Sequence, residues 1–173
     1  GEYAQKIMED FKAGKYFKYL VEQSDSAAKK YKQDPDKVTP LSIQAGNVAY
    51  FLFGRVAGLY SPPSETTQGS QLTEFGTSHQ GVLESFLYKI IKKHDGETAA
   101  AQFVSDLGNQ GFQENAGFHI DCKVYDKKDT NAWVLDITYK GKNYDVTPKE
   151  LYTIMEEGDR LKEELKELRK SSE

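Results

Sequence analysis

The chain has little cysteine and no excess of positive charge, and each deficit excludes a class of protein. Its 173 residues include one cysteine, so no disulfide can form within the chain. No Cys or His residues recur at the spacing of a zinc site. The net charge is −4, which leaves no basic excess to neutralise a phosphate backbone. The composition therefore predicts no metal, no cofactor and no nucleic-acid partner.

The chain also lacks a long uninterrupted apolar run. The most apolar segment extends from Leu41 to Tyr60, but polar side chains that include Gln44 and Arg55 interrupt it. A transmembrane helix needs about 20 consecutive apolar residues. The GxxxG spacing of Gly54 and Gly58 would suit a membrane helix, but the interrupted run favours a buried core helix. We therefore expect no transmembrane segment.

The chain does not open with methionine, and Gly1 has the character of a scar left by cleavage. A signal peptide or a lipid anchor can therefore have been removed from it. The sequence leaves two locations open: the cell surface or exterior, with the leader removed, and the cytoplasm.

The sequence predicts a single domain of the α+β class over residues 1–173, with a helical N-terminal half. Apolar residues recur at helical spacing in five segments that Gly, Pro and polar residues separate. The polar residues 22–38 are predicted to form a weak helix followed by a loop, and residues 61–80 a long loop. The segment over residues 81–94 is predicted to be a buried central helix that ends at Asp95-Gly96. The five segments are residues 2–13, 17–21, 40–60, 81–94 and 97–107.

Three strands are predicted after Gly117, where apolar and polar residues alternate. Residues 118–125, 133–139 and 144–146 should form an antiparallel meander with one face on the core. Residues Thr147 to Glu150 form a capping box, and a long C-terminal helix over residues 148–173 should follow it. We expect the last two turns of this helix to project from the body or to pair with a partner helix.

The predicted hairpin from Asn131 to Pro148 resembles the second half of the transglutaminase-like cysteine-protease core. In that family a His-Ala-Trp strand carries the catalytic His, and the next strand ends in Val-Asp-Pro with the catalytic Asp. Here Asn131 precedes Ala-Trp, and Thr147 lies between Val and Pro. Gly81-Val82 is similar to the start of the family's buried helix, where Leu83 takes the place of the catalytic Cys. The resemblance covers residues 40–148 and leaves a helical extension over residues 1–39 and the C-terminal helix outside it.

These substitutions remove the chemistry that the resemblance would otherwise imply. Leu83 offers no nucleophile, Asn131 cannot exchange a proton near neutral pH, and Thr147 carries no charge to stabilise an imidazolium. The resemblance therefore implies a pseudoenzyme, whose groove between helix and sheet binds or scaffolds a protein, peptide or glycan. Such domains are often exported by bacteria, so the resemblance also implies an exported or surface-associated bacterial protein. The residues expected at that groove are His79, Asn131, Trp133 and Thr147.

Two alternatives from other classes remain open. A hydrolase could use His79, His119, Asp121 and Asp145, because His119 and Asp121 share one face of a strand and can pair. A small acidic inhibitor or immunity-type protein could instead bind its partner through the terminal helix. Leucines near heptad spacing between Leu151 and Leu168 support that alternative.

Three further residues are predicted to be structural. Cys122 lies on the apolar side of its strand and is expected to be a small buried residue. Trp133 points with Leu135 and Ile137 toward the core, and a binding platform at the sheet edge is the alternative. His94 lies near the end of the central helix, where the helix dipole favours a cation.

Overall fold

A computed structural model describes residues 2–59, 81–108, 111–113, 116–126 and 128–171. The described residues have an α+β fold, as the sequence predicts, with helices in the N-terminal half and at the C-terminus and one antiparallel sheet between them. The elements are α1 (Glu2–Lys12), α2 (Tyr16–Glu22), α3 (Ser24–Lys30), α4 (Leu41–Leu59), α5 (Val82–Leu107), β1 (His119–Val124), β2 (Trp133–Tyr139), β3 (Lys142–Val146) and α6 (Pro148–Lys170).

Alternation along β2 determines the two faces of the sheet. Trp133, Leu135 and Ile137 point to one side and are at most 2% exposed, so this side is the core face. The strand order is β1-β2-β3, and β2 is antiparallel to both neighbours. Lys140 and Gly141 join β2 to β3 with φ angles of 48° and 78°, the positive values that a two-residue type I′ hairpin requires.

Helix α5 runs across the core side of the sheet from β1 to β3. The ring of Phe86 lies 6.1 Å from that of Phe118, which immediately precedes β1. Further along, Asp95 accepts a hydrogen bond from the Tyr144 hydroxyl of β3 at 3.0 Å. The helical path breaks at Asp95-Gly96, where the sequence predicts the end of the central helix. Gly96 has a φ of 85° and a ψ of −179°, which lie outside the helical region and which glycine tolerates, and a second helical segment follows as far as Leu107.

Helices α4 and α6 approach each other closely where glycine lies on both. A Cβ added to Gly158 would lie 3.3 Å from the Gly46 Cα and 2.8 Å from the Ser42 carbonyl oxygen. Toward the other end of this contact, the rings of Phe53 and Tyr152 lie 5.1 Å apart. The two helices therefore run antiparallel, and the absence of a side chain at residue 158 allows the backbones to meet.

The last turns of α6 do not project from the body, contrary to the sequence prediction. Leu161 and Leu165 are buried in an apolar cluster with Ala28 of α3. Arg169, in the final turn, forms an ion pair with Asp34 at 2.6 Å between Nη1 and Oδ2. The leucine stripe that suggested a partner helix is therefore covered by other helices of the same chain.

The N-terminal residues also contribute to the core. Phe17 and Leu20 of α2 are buried in the main apolar cluster, together with side chains of α5 and of the sheet. The ring of Phe17 lies within 3 Å of where a Cβ on Gly111 would be, so α2 packs tightly on the segment that leads to β1. The region over residues 1–39 therefore supplies core side chains beside residues 40–148.

Only the first half of α4 fits the prediction of a buried helix. Residues 41–46 are buried, whereas Tyr50 and Phe51 are 44% and 50% exposed. A Cβ added to Gly54 or Gly58 would meet nothing within 4 Å, so the GxxxG pair makes no close helix contact within the described part of the chain. Among the residues that the structure describes, no helix combines the length and the apolar character needed to cross a bilayer.

The contact between α4 and α6 gives the first prediction. Replacement Gly158→Ala should lower the free energy of unfolding by about 1–3 kcal/mol, because the new methyl group overlaps the Ser42 carbonyl oxygen and forces the helices apart. Gly54→Ala is the matched control: its methyl group meets nothing, and the gain in helix propensity should stabilise the protein by up to about 1 kcal/mol. Urea unfolding monitored by circular dichroism measures both, and equal effects would contradict the close approach.

Candidate functional site

The positions that the resemblance aligns with a catalytic Cys and His lie at opposite ends of the sheet. Leu83 is in the first turn of α5, one turn before Phe86, which contacts Phe118 at the start of β1. Asn131 is exposed in the turn that precedes β2, beside the end of β1, where Val124 pairs with Trp133. The length of β1 separates the two ends by about 16 Å at ~3.3 Å per residue.

Thr147, the third aligned position, caps α6 and lies beside a part of α5 that is distant from Leu83. Its hydroxyl accepts a hydrogen bond from the Glu150 N–H at 3.3 Å, and Glu150 in turn lies 3.2 Å from Nε2 of His94. His94 follows Leu83 on α5 by about 16 Å along the helix axis. The three positions therefore do not line a common groove. The resemblance to transglutaminase-like proteins stays a prediction, and these positions give it no geometric support.

The other residues expected at the groove do not form a site either. His79 lies outside the described residues. Trp133 is 2% exposed, and its indole N–H donates to the Thr130 carbonyl at 2.8 Å. The ring lies 6.4 Å from that of Phe53. The Trp133 side chain is therefore a core residue, as its position in the alternation indicates, and it offers no binding platform.

The prediction that Cys122 is buried was wrong: the residue is exposed. Its side chain does point to the core side of the sheet, but β1 is an edge strand and the helices do not extend far enough to cover it. Partial desolvation by its neighbours raises the pKa of the Cys122 thiol above its usual value. A raised pKa lowers the fraction of thiolate, so these surroundings do not activate Cys122 as a catalytic nucleophile.

The side of the sheet opposite the core carries polar residues from all three strands, and we call it the outer face. Alternation places Asp136 and Thr138 of β2 there, because Trp133, Leu135 and Ile137 occupy the other side. The strand register adds the side chains that lie beside them on β1 and β3. Its polar residues are His119, Asp121, Lys123, Asp136, Thr138, Asn143 and Asp145, and the apolar Val134 lies beside Lys123 on the same face.

Three aspartates form a row across the outer face, one from each strand. Asp136 lies directly opposite Asp121 on one side and Asp145 on the other. Like charges directly opposite each other destabilise a sheet. One cation offsets them from a diagonal position: Lys123 Nζ donates to Asp136 Oδ2 at 2.7 Å. We call Asp121, Asp136 and Asp145 the acidic row.

Asp136 is the most unusual member of the acidic row, because it is only 8% exposed. Its Oδ1 atom is buried and has no hydrogen-bond partner within the described part of the chain. A buried carboxylate oxygen without a partner is costly, since it has lost its water and gained no donor in exchange. The sequence carries one signal for this residue: Asp136 is the only charged residue between Trp133 and Tyr139.

His119 and Asp121 pair, which their shared face of the strand allows, with Nε2 and Oδ1 3.2 Å apart. Both side chains are strongly exposed, at 66% and 59%. Thr138, the residue opposite His119, donates its hydroxyl to Asn143 Oδ1 at 3.0 Å and so makes no use of the imidazole. The pair therefore lies on an open surface without an activated nucleophile, and Asp145 is separated from it by β2.

Two other features of the described residues give less support to a site. Within the described ranges, no group of three or more His, Cys, Asp or Glu side chains has the geometry to hold a metal ion. An open groove of about 450 Å³ lies between α2 and α5, lined by residues that include Lys15, Lys18 and Tyr88. None of its lining residues has a buried polar atom without a partner, unlike Asp136. The outer face is therefore the stronger candidate.

Comparison of the chain with protein-family models, with curated proteins and with solved structures finds no match.

The acidic row gives a prediction for stability. Asp145→Asn should raise the free energy of unfolding by about 0.2–1 kcal/mol, because it removes one of two like charges that lie directly opposite each other. The control is Glu167→Gln on the exposed side of α6, which removes one negative charge outside the sheet and its row of opposed aspartates. This variant should have nearly the same stability as the wild type. Thermal unfolding at low ionic strength compares the two. A loss of stability in Asp145→Asn would contradict the repulsion.

The N-terminus of α6 gives a prediction for pH dependence. Partial burial alone would raise the pKa of Glu150, but hydrogen bonds from the Thr147 N–H and hydroxyl and the nearby charge of His94 outweigh it, so the pKa lies below its ordinary value. Because the pKa is lowered in the folded state, the ionised carboxylate stabilises the fold at pH values above the ordinary Glu pKa. This contribution is lost as the pH falls through the lowered pKa.

Glu150→Gln should therefore be less stable than the wild type by about 0.3–1 kcal/mol at neutral pH, the usual contribution of an acid in the first turn of a helix. The two proteins should become equally stable in acid, once Glu150 of the wild type is protonated. Urea unfolding across a pH series tests this, with Glu156→Gln, outside the first turn, as the control. A difference that stays constant with pH would show that the charge of Glu150 does not matter.

Proposed function

We propose that the protein is a non-catalytic binding module whose ligand contacts the outer face of the sheet. The observation that carries the proposal is the acidic row, with a buried and unpartnered oxygen on Asp136 at its centre. Repulsion within the row costs stability, and within the described sheet Lys123 offsets it at Asp136 while His119 lies beside Asp121. A destabilising arrangement on an otherwise open surface is typical of a site that a ligand completes.

The chemistry of the acidic row favours a ligand with cationic side chains. Ionised carboxylates accept hydrogen bonds and donate none, so they complement Lys and Arg groups. The net charge of −4 adds long-range attraction for a basic partner. Tyr125, at the end of β1, is 71% exposed and adds an aromatic surface beside the row. A protein or peptide segment that carries Lys or Arg therefore fits the site better than a glycan.

A hydrolase is the weaker alternative. His119 and Asp121 form a pair, but a general base acts only on a group within hydrogen-bond reach, and no nucleophile is held by this pair. The Cys122 side chain points to the other face of the sheet. An acidic inhibitor remains compatible with the proposal, but its contact surface would be the outer face, since other helices cover the leucines of α6.

The proposal is tested with two short peptides of opposite charge. A lysine-rich peptide should bind and a glutamate-rich peptide of the same length should not, as measured by fluorescence anisotropy, and binding should weaken as salt is added. The double variant Asp121→Asn/Asp145→Asn should weaken binding several-fold, because it removes two charges of the row while the helices are untouched.

The matched control is Glu156→Gln/Glu167→Gln, which lowers the negative charge equally on the exposed side of α6. Circular dichroism confirms that both double variants fold. If the two double variants lose the same affinity, the attraction is general and the outer face is not the site. Equal binding of the two peptides would contradict the proposal outright.

A further inference from the structure

We propose that strand β1 pairs with β1 of a second copy of this chain, antiparallel about a two-fold axis at Cys122, and so joins two sheets into one of six strands. The proposal concerns the edge of the sheet and stands independently of the ligand suggested for the outer face. It rests on the directions of the backbone groups of β1, on the charges along the strand, and on the exposure of the edge.

The edge of β1 is open within the described part of the chain. Sheet pairing engages β1 with β2 alone, and every β1 residue is exposed or half-buried. The opposite edge of the sheet differs: Asp95 of α5 forms an ion pair with Lys142 of β3 at 2.6 Å and accepts a hydrogen bond from Tyr144. An unpaired edge presents free N–H and C=O groups that can accept another strand.

Two observations show which backbone groups of β1 point outward. The Tyr125 N–H donates to the Ala132 carbonyl at 2.7 Å, so Tyr125 bonds toward β2. The two-residue turn at Lys140-Gly141 makes Tyr139 and Lys142 the hydrogen-bonded pair that closes the hairpin. Backbone hydrogen bonds alternate between the two edges of a strand, so the odd-numbered residues of β2 bond to β3 and the even-numbered residues bond to β1. Both imply that Asp121 and Lys123 bond to β2. The N–H and C=O groups of Ile120, Cys122 and Val124 therefore point to the open edge.

These outward groups fix the possible registers of a symmetric pair. If the two-fold axis lies at Cys122, Ile120 faces Val124 of the second copy, and all three outward residues of each strand are hydrogen-bonded. A shift of the axis by one residue to Asp121 or to Lys123 leaves one outward residue of each strand without a partner in β1. The axis at Cys122 therefore gives the largest number of inter-strand hydrogen bonds.

The charges select the same register. With the axis at Cys122, Asp121 lies directly opposite Lys123 of the second copy, and the two-fold axis repeats this pair. An axis at Asp121 would place two aspartates opposite each other, and an axis at Lys123 would place two lysines opposite each other, which is unfavourable in both cases. The self-complementary order Asp121-Cys122-Lys123 thus suits pairing with a second copy of the same strand.

The pairing would also relieve the acidic row. Asp121 is repelled by Asp136 directly opposite and is paired with the exposed His119 on its own strand. In the proposed dimer, Lys123 of the second copy stands on the free side of Asp121 and continues the row with a positive charge. The two outer faces then form one surface, on which Asp145 of each copy remains exposed to a ligand.

Cys122 gives a direct test, because the chain has no other cysteine. On the two-fold axis, the two Cys122 Cα atoms would lie about 5.5 Å apart, the spacing of a hydrogen-bonded antiparallel pair. A short bismaleimide should therefore convert the wild-type protein to a covalent dimer. The control Cys122→Ser/Tyr125→Cys moves the thiol along the same exposed strand, to a point about 20 Å from its symmetry mate at ~3.3 Å per residue. It should crosslink far less.

Sedimentation velocity over a range of concentrations tests the association without a reagent. Wild type should show a concentration-dependent dimer, and Cys122→Pro should be monomeric, because proline removes an N–H that points to the open edge and leaves the ladder with β2 intact. Cys122→Ser should still dimerise. Asp121→Lys should weaken the dimer roughly tenfold or more, since it places two lysines opposite each other at both equivalent positions.

A mixing experiment separates this register from any other. Asp121→Lys and Lys123→Asp should each associate poorly alone, but an equimolar mixture should dimerise, because every opposite pair in the mixed dimer is again Lys with Asp. Circular dichroism checks that each variant folds; if Lys123→Asp does not, Asp121→Lys and Cys122→Pro decide the question. A wild-type monomer at every concentration, or a dimer that Cys122→Pro and Asp121→Lys leave unchanged, would overturn the proposal.

Discussion

The constraint on which the structure depends is that β2 is hydrogen-bonded on both edges. A strand held in this way cannot rotate, so its alternating side chains are assigned to two faces. Trp133, Leu135 and Ile137 take the face that α5 covers, and Asp136 takes the other. The same constraint thus forms the core and brings a nearly buried carboxylate between two further aspartates. Asp136 tolerates this position because Lys123 reaches it diagonally from β1.

The placement of the helices follows from the same arrangement. They pack around the core face, and the close contact of Gly46 with Gly158 holds α4 against α6. The described helices leave the outer face and the β1 edge uncovered. Within the described residues, Tyr19 and Gln44 also have a buried oxygen without a hydrogen-bond partner, but they belong to helices α2 and α4. Asp136 differs from them because its unpartnered oxygen lies in a row with two further aspartates.

Local patterns in the sequence predicted most elements but not their long-range contacts. The alternation of β2, the capping box at Thr147 and the hairpin at Lys140-Gly141 are local, and the structure has all three. The hairpin even allows Asp145 to be placed opposite Asp136 from the sequence. By contrast, the exposure of Cys122 depends on how far the helices extend over an edge strand. The distances between Leu83, Asn131 and Thr147 likewise depend on how α5 crosses the sheet. The order of residues along the chain does not reveal that crossing.

Residue-resolved amide hydrogen exchange along β1 tests the central claim most directly, that the strand is bonded to β2 on one side and open on the other. At low protein concentration, the amides of Asp121 and Lys123 should exchange slowly, and those of Ile120, Cys122 and Val124 should exchange fast. At high concentration the second group should become protected as well. Protection of all five amides at every dilution, or fast exchange at Asp121 and Lys123, would contradict the account.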